Sequence, residues 1–84
     1  MSARINAALQ QNPTIIICGS GDHFSQQARD LLSSKGIAHE VYAGDSSPDL
    51  VEDVRNTYGH RTFPMIFVDR QFVGGYAELA ERLR

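Results

Sequence analysis

The sequence predicts an α/β domain: one mixed four-stranded sheet with helices packed on both of its faces. Three observations carry that expectation. Thr14-Ile15-Ile16-Ile17-Cys18 is continuously apolar and β-branched rather than alternating, as a central strand covered on both faces requires. Four segments repeat their apolar residues at helical spacing and stand between short strand-like runs, so helices and strands alternate along the chain. At 84 residues there is room for one modest core, which gives one domain over residues 1–84.

The elements follow in order. Ser2 is placed to cap a first helix whose Ile5, Ala8 and Leu9 share a face. Asn12-Pro13 ends it, because proline lacks an N–H and restricts the residue before it. After the apolar strand, Gly19-Ser20-Gly21 breaks the chain and Asp22 reads as the N-cap of a second helix. Phe24, Ala28, Leu31 and Leu32 make its inner face, and Gly36 closes it. Ile37 to Ala43 reads as a second strand, with Val41 and Tyr42 its strongest residues, joined to the first by a right-handed parallel crossover. Ser47-Pro48 opens a third helix with Leu50, Val51, Val54 and Tyr58 inward and Gly59 at its end. Met65–Val68 and Phe72-Val73 form a hairpin about Asp69-Arg70. Gly74-Gly75 lead into a last helix bearing Tyr76, Leu79, Ala80 and Leu83.

Composition narrows the function classes. Eight Lys and Arg against ten Asp and Glu leave a net charge of −2, without the basic footprint of a nucleic-acid or anionic-lipid binder. The Ile15–Cys18 run falls far short of the about 20 residues that span a bilayer. The N-terminus has no apolar signal-like stretch, so a cytoplasmic monomer is the expectation. A single cysteine, Cys18, allows neither an internal disulfide nor a multi-cysteine zinc site. His23, His39 and His60 lack metal-ligand spacing and read as surface or turn residues, and no metal is expected.

Several segments together resemble the glutaredoxins, which have the thioredoxin fold. Leu31-Leu32-Ser33-Ser34-Lys35-Gly36 is similar to the end of that family's active-site helix. Thr62-Phe63-Pro64 resembles its Thr-Val-Pro segment, in which the proline is cis, and Asp69 to Gly75 resembles the hairpin and double glycine that follow. The N-terminal helix and Phe24-Ser25-Gln26-Gln27-Ala28 resemble the monothiol members with a Cys-Gly-Phe-Ser motif. Counting back from Gly36, the motif falls on Asp22-His23-Phe24-Ser25, which puts Asp22 at the nucleophile position and Ser25 at the second-cysteine position. The family's lysine before the motif falls within Gly19-Ser20-Gly21, and its acidic residue after the double glycine falls on Ala77.

The resemblance implies a degenerate site. Thiol–disulfide exchange uses a thiolate stabilised at a helix N-terminus. Asp22 carries the same charge and satisfies the same donors, but a carboxylate cannot form a mixed disulfide. The resemblance places a binding groove at Phe24, Thr62, Phe63, Pro64, Gly74, Gly75 and Tyr76, open to glutathione or a protein partner, with glutathione expected to bind weakly. Gly74 and Gly75 also serve backbone geometry. Cys18 remains as a catalytic candidate, for a glutathione-dependent monothiol oxidoreductase. Against this, it is expected to lie buried at the end of the central strand, four residues before the helix cap. Arg61 could pair with an anionic ligand, although a solvated arginine fits it better. A cluster-binding role like that of some monothiol relatives meets the same missing cysteine at Asp22 and ranks last.

Overall fold

The computed structural model describes residues 2–84. Its elements are α1 (Ala3–Gln11), β1 (Ile15–Cys18), α2 (His23–Ser34), β2 (Glu40–Ala43), α3 (Pro48–Tyr58), β3 (Met65–Val68), β4 (Gln71–Gly74) and α4 (Tyr76–Arg82), with a 3-10 turn at Gly44–Ser46. The sheet order is β2-β1-β3-β4. β1 runs parallel to β2 and antiparallel to β3, and β4 completes an antiparallel hairpin. This is the mixed four-stranded sheet with flanking helices that the sequence predicts.

β1 sets the two cores. Ile15 and Ile17 point to one face, where they meet Ile5, Leu9, Leu50, Val54, Met65 and Phe67 from α1, α3 and β3. Ile16 points to the other, against Ala28, Leu32, Ile66 and Leu79, and Cys18 packs at the margin of that cluster. All three isoleucines are fully buried. Each contributes roughly 1.5–3 kcal/mol by leaving water.

The helix ends are fixed by local chemistry. Ser2 Oγ accepts from the Ile5 N–H at 3.1 Å and itself donates to the Asp53 carboxylate. That carboxylate also takes the Arg4 N–H, so α3 helps to cap α1. Gly36 ends α2 with φ of 68°, a conformation costly for any residue with a side chain. The Gly36 N–H donates to Ser33 O and the Ile37 N–H to Leu32 O, both at 3.0 Å, which is a Schellman closure.

That closure corrects the second strand. Ile37 is spent on ending α2 and packing beside Leu32, so pairing begins only at Glu40. β2 is an edge strand, and Val41 is 44% exposed rather than a core residue. Tyr58 also departs from expectation. It is 45% exposed, and its ring stacks on Phe72 at 4.4 Å between centroids instead of entering the core. The hairpin turn holds both Asp69 and Arg70 at positive φ without a glycine. The Asp69 N–H donates to Thr14 Oγ1 and the Arg70 N–H to Pro13 O, so the segment before β1 anchors the turn from outside.

The loops at the C-terminal ends of β1 and β2 are held together by one ring. A Cβ added at Gly44 would lie 2.7 Å from Phe63 Cε1 and Cζ, and one at Gly19 would lie 3.1 Å from Phe63 Cδ2. Gly44 therefore exists to admit Phe63. Gly44→Ala should destabilise the fold by about 1–3 kcal/mol through overpacking. The same change in a Phe63→Val background should cost a small fraction of that. Chemical denaturation of the four proteins in this cycle measures the coupling, and equal costs in both backgrounds would refute the contact.

Candidate functional site

The site forms where β1 ends and α2 begins. Asp22 is the N-cap of α2, and its Oδ1 accepts from the Phe24 N–H at 3.3 Å. Its other oxygen, Oδ2, accepts from Ser25 Oγ at 2.7 Å, and Ser25 Oγ in turn accepts from the Gly19 N–H at 3.2 Å. Ser25 is 2% exposed and buried among these partners. One carboxylate and one hydroxyl thus tie the Gly19–Asp22 turn to the first turn of the helix. The residues at the two motif positions both have full structural employment.

Cys18 is not buried as expected. It is half-buried and lines a depression of about 280 Å³ with Gly19, Asp22, Ser25 and Arg29 among the other walls. By the alternation of β1 its side chain falls on the α2 side of the sheet, at the margin of that cluster and beside the first turns of α2. Burial pushes the thiol above its ordinary value, and the Asp22 charge adds to that; the Arg29 guanidinium and a Ser25 hydrogen bond oppose them. Arg29 escaped the sequence reading. The spacing Asp22, Ser25, Arg29 along one stripe of α2 was the signal that could have found it.

The expected groove residues come together in part. Phe63 lies beside Gly19, next to the Asp22 end of α2, and the Phe63–Pro64 bond is cis. The position a Gly75 side chain would occupy is 3.7 Å from the Pro64 carbonyl, so the double glycine closes against the proline turn. Phe24 does not face the core as its helical spacing suggested. It is 57% exposed, while Ala28 and Leu32, one and two turns further on, fill the space under α2. Its ring instead lies 6.4 Å from that of half-buried Tyr76, making a small aromatic surface between the starts of α2 and α4. Thr62 and Arg61 are exposed. Gly74 and Gly75 are buried, and the Gly75 N–H donates to Glu78 Oε1 at 2.8 Å.

His60 is a second residue whose importance the sequence concealed. Read as a surface or turn residue, it is half-buried, with Nε2 3.2 Å from the Pro64 carbonyl. Among the described residues no three His, Cys, Asp or Glu side chains converge as metal ligands. The single thiol, Cys18, lies beside Asp22 and Ser25 at the start of α2 rather than at the N-cap position itself.

The electrostatics of Cys18 give a kinetic expectation. Alkylation by iodoacetamide should be slower in the folded protein than in the denatured chain at neutral pH, since only the thiolate reacts. Arg29→Ala should slow it further and Asp22→Asn should speed it, each by a few-fold. Because the folded thiol titrates higher, its contribution to stability is present at neutral pH and fades as pH rises through and beyond the ordinary thiol range. Rate–pH profiles of the three proteins check the order, and a reversed order would refute the charge assignment.

Comparison with known proteins places this geometry. A family model described as glutaredoxin matches residues 23–73. The chain is 34% identical to glutaredoxin 3 of Escherichia coli (strain K12) over 56 residues, covering 67% of this chain and 68% of that protein. It is 30% identical over 57 residues to a glutaredoxin of Neisseria meningitidis serogroup A, covering 67% of each. Among solved structures, a dithiolic glutaredoxin of Trypanosoma brucei brucei superposes with a TM-score of 0.83 at 21% identity, covering 96% of this chain and 86% of that one. A buckwheat glutaredoxin–glutathione complex gives 0.79 at 18% identity, covering 100% and 86%. No described helix is long and apolar enough to cross a membrane. The helix-end site, the cis proline turn and the double glycine therefore sit in a chain that belongs to the glutaredoxin family.

Proposed function

We propose that this chain is a glutaredoxin-family binding module whose thiol–disulfide exchange is weak or lost, acting as one cytoplasmic domain. The observation that carries this reading is Asp22. It stands at the start of α2, the place that the resemblance assigns to the attacking thiolate, and its two oxygens take the Phe24 N–H and the Ser25 hydroxyl. The carboxylate uses the donors that would stabilise a thiolate, and it has no sulfur with which to make or break a disulfide. What remains is a groove bounded by the α2 N-terminus, Phe63-Pro64 and Gly74-Gly75.

Glutathione is the first ligand to test, since a structural relative was solved as its complex. Its fit here is poor for physical reasons. No cation stands at Gly19, and no carboxylate stands at Ala77. The neighbouring carboxylate, Glu78, is already hydrogen-bonded to the Gly75 N–H. Each missing charge-assisted hydrogen bond forfeits about 1.5–3 kcal/mol, so two remove roughly two to four orders of magnitude of affinity. Calorimetry should find dissociation constants in the millimolar range or weaker; micromolar binding would mean that other groups have taken over.

A second reading has one observation in its favour. Cys18 lines an open depression with the Arg29 guanidinium on its wall, which suits a monothiol that attacks a glutathione-bearing disulfide. The raised titration of that thiol weighs against it. Wild type should show little turnover in a glutathione-coupled disulfide assay, and turnover abolished by Cys18→Ser would favour the second reading.

The restoring substitution separates the two. In Asp22→Cys, the new thiolate at the helix start attacks one sulfur of oxidised glutathione, forming a protein–glutathione disulfide and expelling one glutathione thiolate. We expect measurable mixed disulfide by mass spectrometry and a stability loss of about 1 kcal/mol from the weakened cap. Asp22→Ser, which keeps a cap without a thiol, is the control. A folded Asp22→Cys protein that forms no mixed disulfide would show that the groove itself has diverged.

A further inference from the structure

We propose that His60 is a positioning residue, holding the Phe63–Pro64 turn over the groove through the Pro64 carbonyl. The inference rests on the reading of that groove as a ligand site. His60 follows Gly59 at the end of α3 and lies half-buried. Its Nε2 is 3.2 Å from Pro64 O, and a carbonyl can only accept, so Nε2 carries the proton and donates. The ring meets Phe72 edge-on at 5.5 Å, and Phe72 is itself stacked on Tyr58 and edge-on to Phe67. An aromatic stack rooted in the core therefore fixes where the imidazole points.

Two features make this bond matter to the site. The first is that no loop or cap backbone hydrogen bond reaches Thr62, Phe63 or Pro64 among the described residues, so the His60 donor is the turn's polar tether outside the sheet. The second is geometry. His60 Cε1 and Pro64 O both lie 3.7 Å from where a Gly75 side chain would begin. The imidazole thus sits at the junction of two of the three groove walls. The Phe63 ring holds the same turn from the other side, on Gly19 and Gly44. His60 and Phe63 together leave the exposed edge of the turn as backbone in a fixed orientation, ready for a ligand's polar groups.

Two substitutions separate the hydrogen bond from the packing. His60→Phe keeps a ring against Phe72 and removes the donor; His60→Gln keeps a donor and loses the ring. In the Asp22→Cys background, His60→Phe should lower the equilibrium constant for the glutathione mixed disulfide about five- to tenfold, the worth of one hydrogen bond. His60→Gln should stay within about threefold of the parent. Equal constants in all three proteins, or equal losses for Phe and Gln at matched thermal stability, would overturn the proposal. A ligand-free measurement on the otherwise unaltered chain stands beside it. Above the pH range in which imidazole titrates, long-range proton–nitrogen spectra should find the His60 proton on Nε2, and His60→Phe should shift the Pro64 carbonyl carbon resonance. A proton on Nδ1, or an unmoved carbonyl, would overturn the proposal whatever the ligand results. If Asp22→Cys forms no mixed disulfide while the carbonyl shifts as expected, the reading of the groove fails and His60 still holds the turn.

Discussion

The double-sided burial of β1 is the constraint on which the rest of this structure depends. Its four residues pair with β2 on one edge, and Ile15, Ile16 and Ile17 pair with β3 on the other. Ile15 and Ile17 anchor α1 and α3 while Ile16 anchors α2 and α4. With both faces and both edges used, β1 cannot slip in register without turning its isoleucines toward the wrong cores. Its C-terminal end is thereby fixed in space. That end delivers Cys18, the Gly19 turn and the start of α2.

What stands at that helix start is a carboxylate used as a cap. A helix N-terminus offers free N–H groups and the positive end of the dipole, and any anion there is favoured. The same arrangement that would activate a thiolate makes Asp22 an effective cap. Ser25 extends the cap by linking Asp22 to the Gly19 N–H from a buried position. The Gly19 and Phe24 N–H groups, the Ser25 hydroxyl and the Asp22 carboxylate are thus satisfied by one another. Cys18, the one thiol, sits where burial and the Asp22 charge disfavour its thiolate.

The cis-proline turn facing that helix start is shaped by different means. Phe63 is a bulky ring at a turn, and it fits because Gly19 and Gly44 leave room for it. The cis turn is then pinned by packing on one side and by His60 on the other. The Pro64 carbonyl and His60 bound the space beside Gly75, and Glu78 reaches back to the Gly75 N–H, joining the start of α4 to the same wall. Exposed Phe24 and half-buried Tyr76 add aromatic surface at the rim.

The sequence by itself determined the order of elements, both cores and the occupant of the helix cap. These depend on local signals: the period of apolar residues, prolines and glycines at element ends, and a capping carboxylate. Tertiary structure decided everything that depends on which side chains meet across elements. Ile37 is a strong strand former, yet the Schellman closure of α2 claims it. Phe24 and Tyr58 have helical spacing, yet neighbours in three dimensions had already filled the space beneath them, leaving one at the rim and the other stacked on Phe72. Cys18 belongs to an apolar strand, yet it is left lining an open depression beside the start of α2. His60 and Gly44 look like loop residues, because the groups that give them a purpose, Pro64 and Phe63, reach them only through the folded sheet. Periodicity reports which way a residue faces along its own element; only the assembled fold decides what it faces.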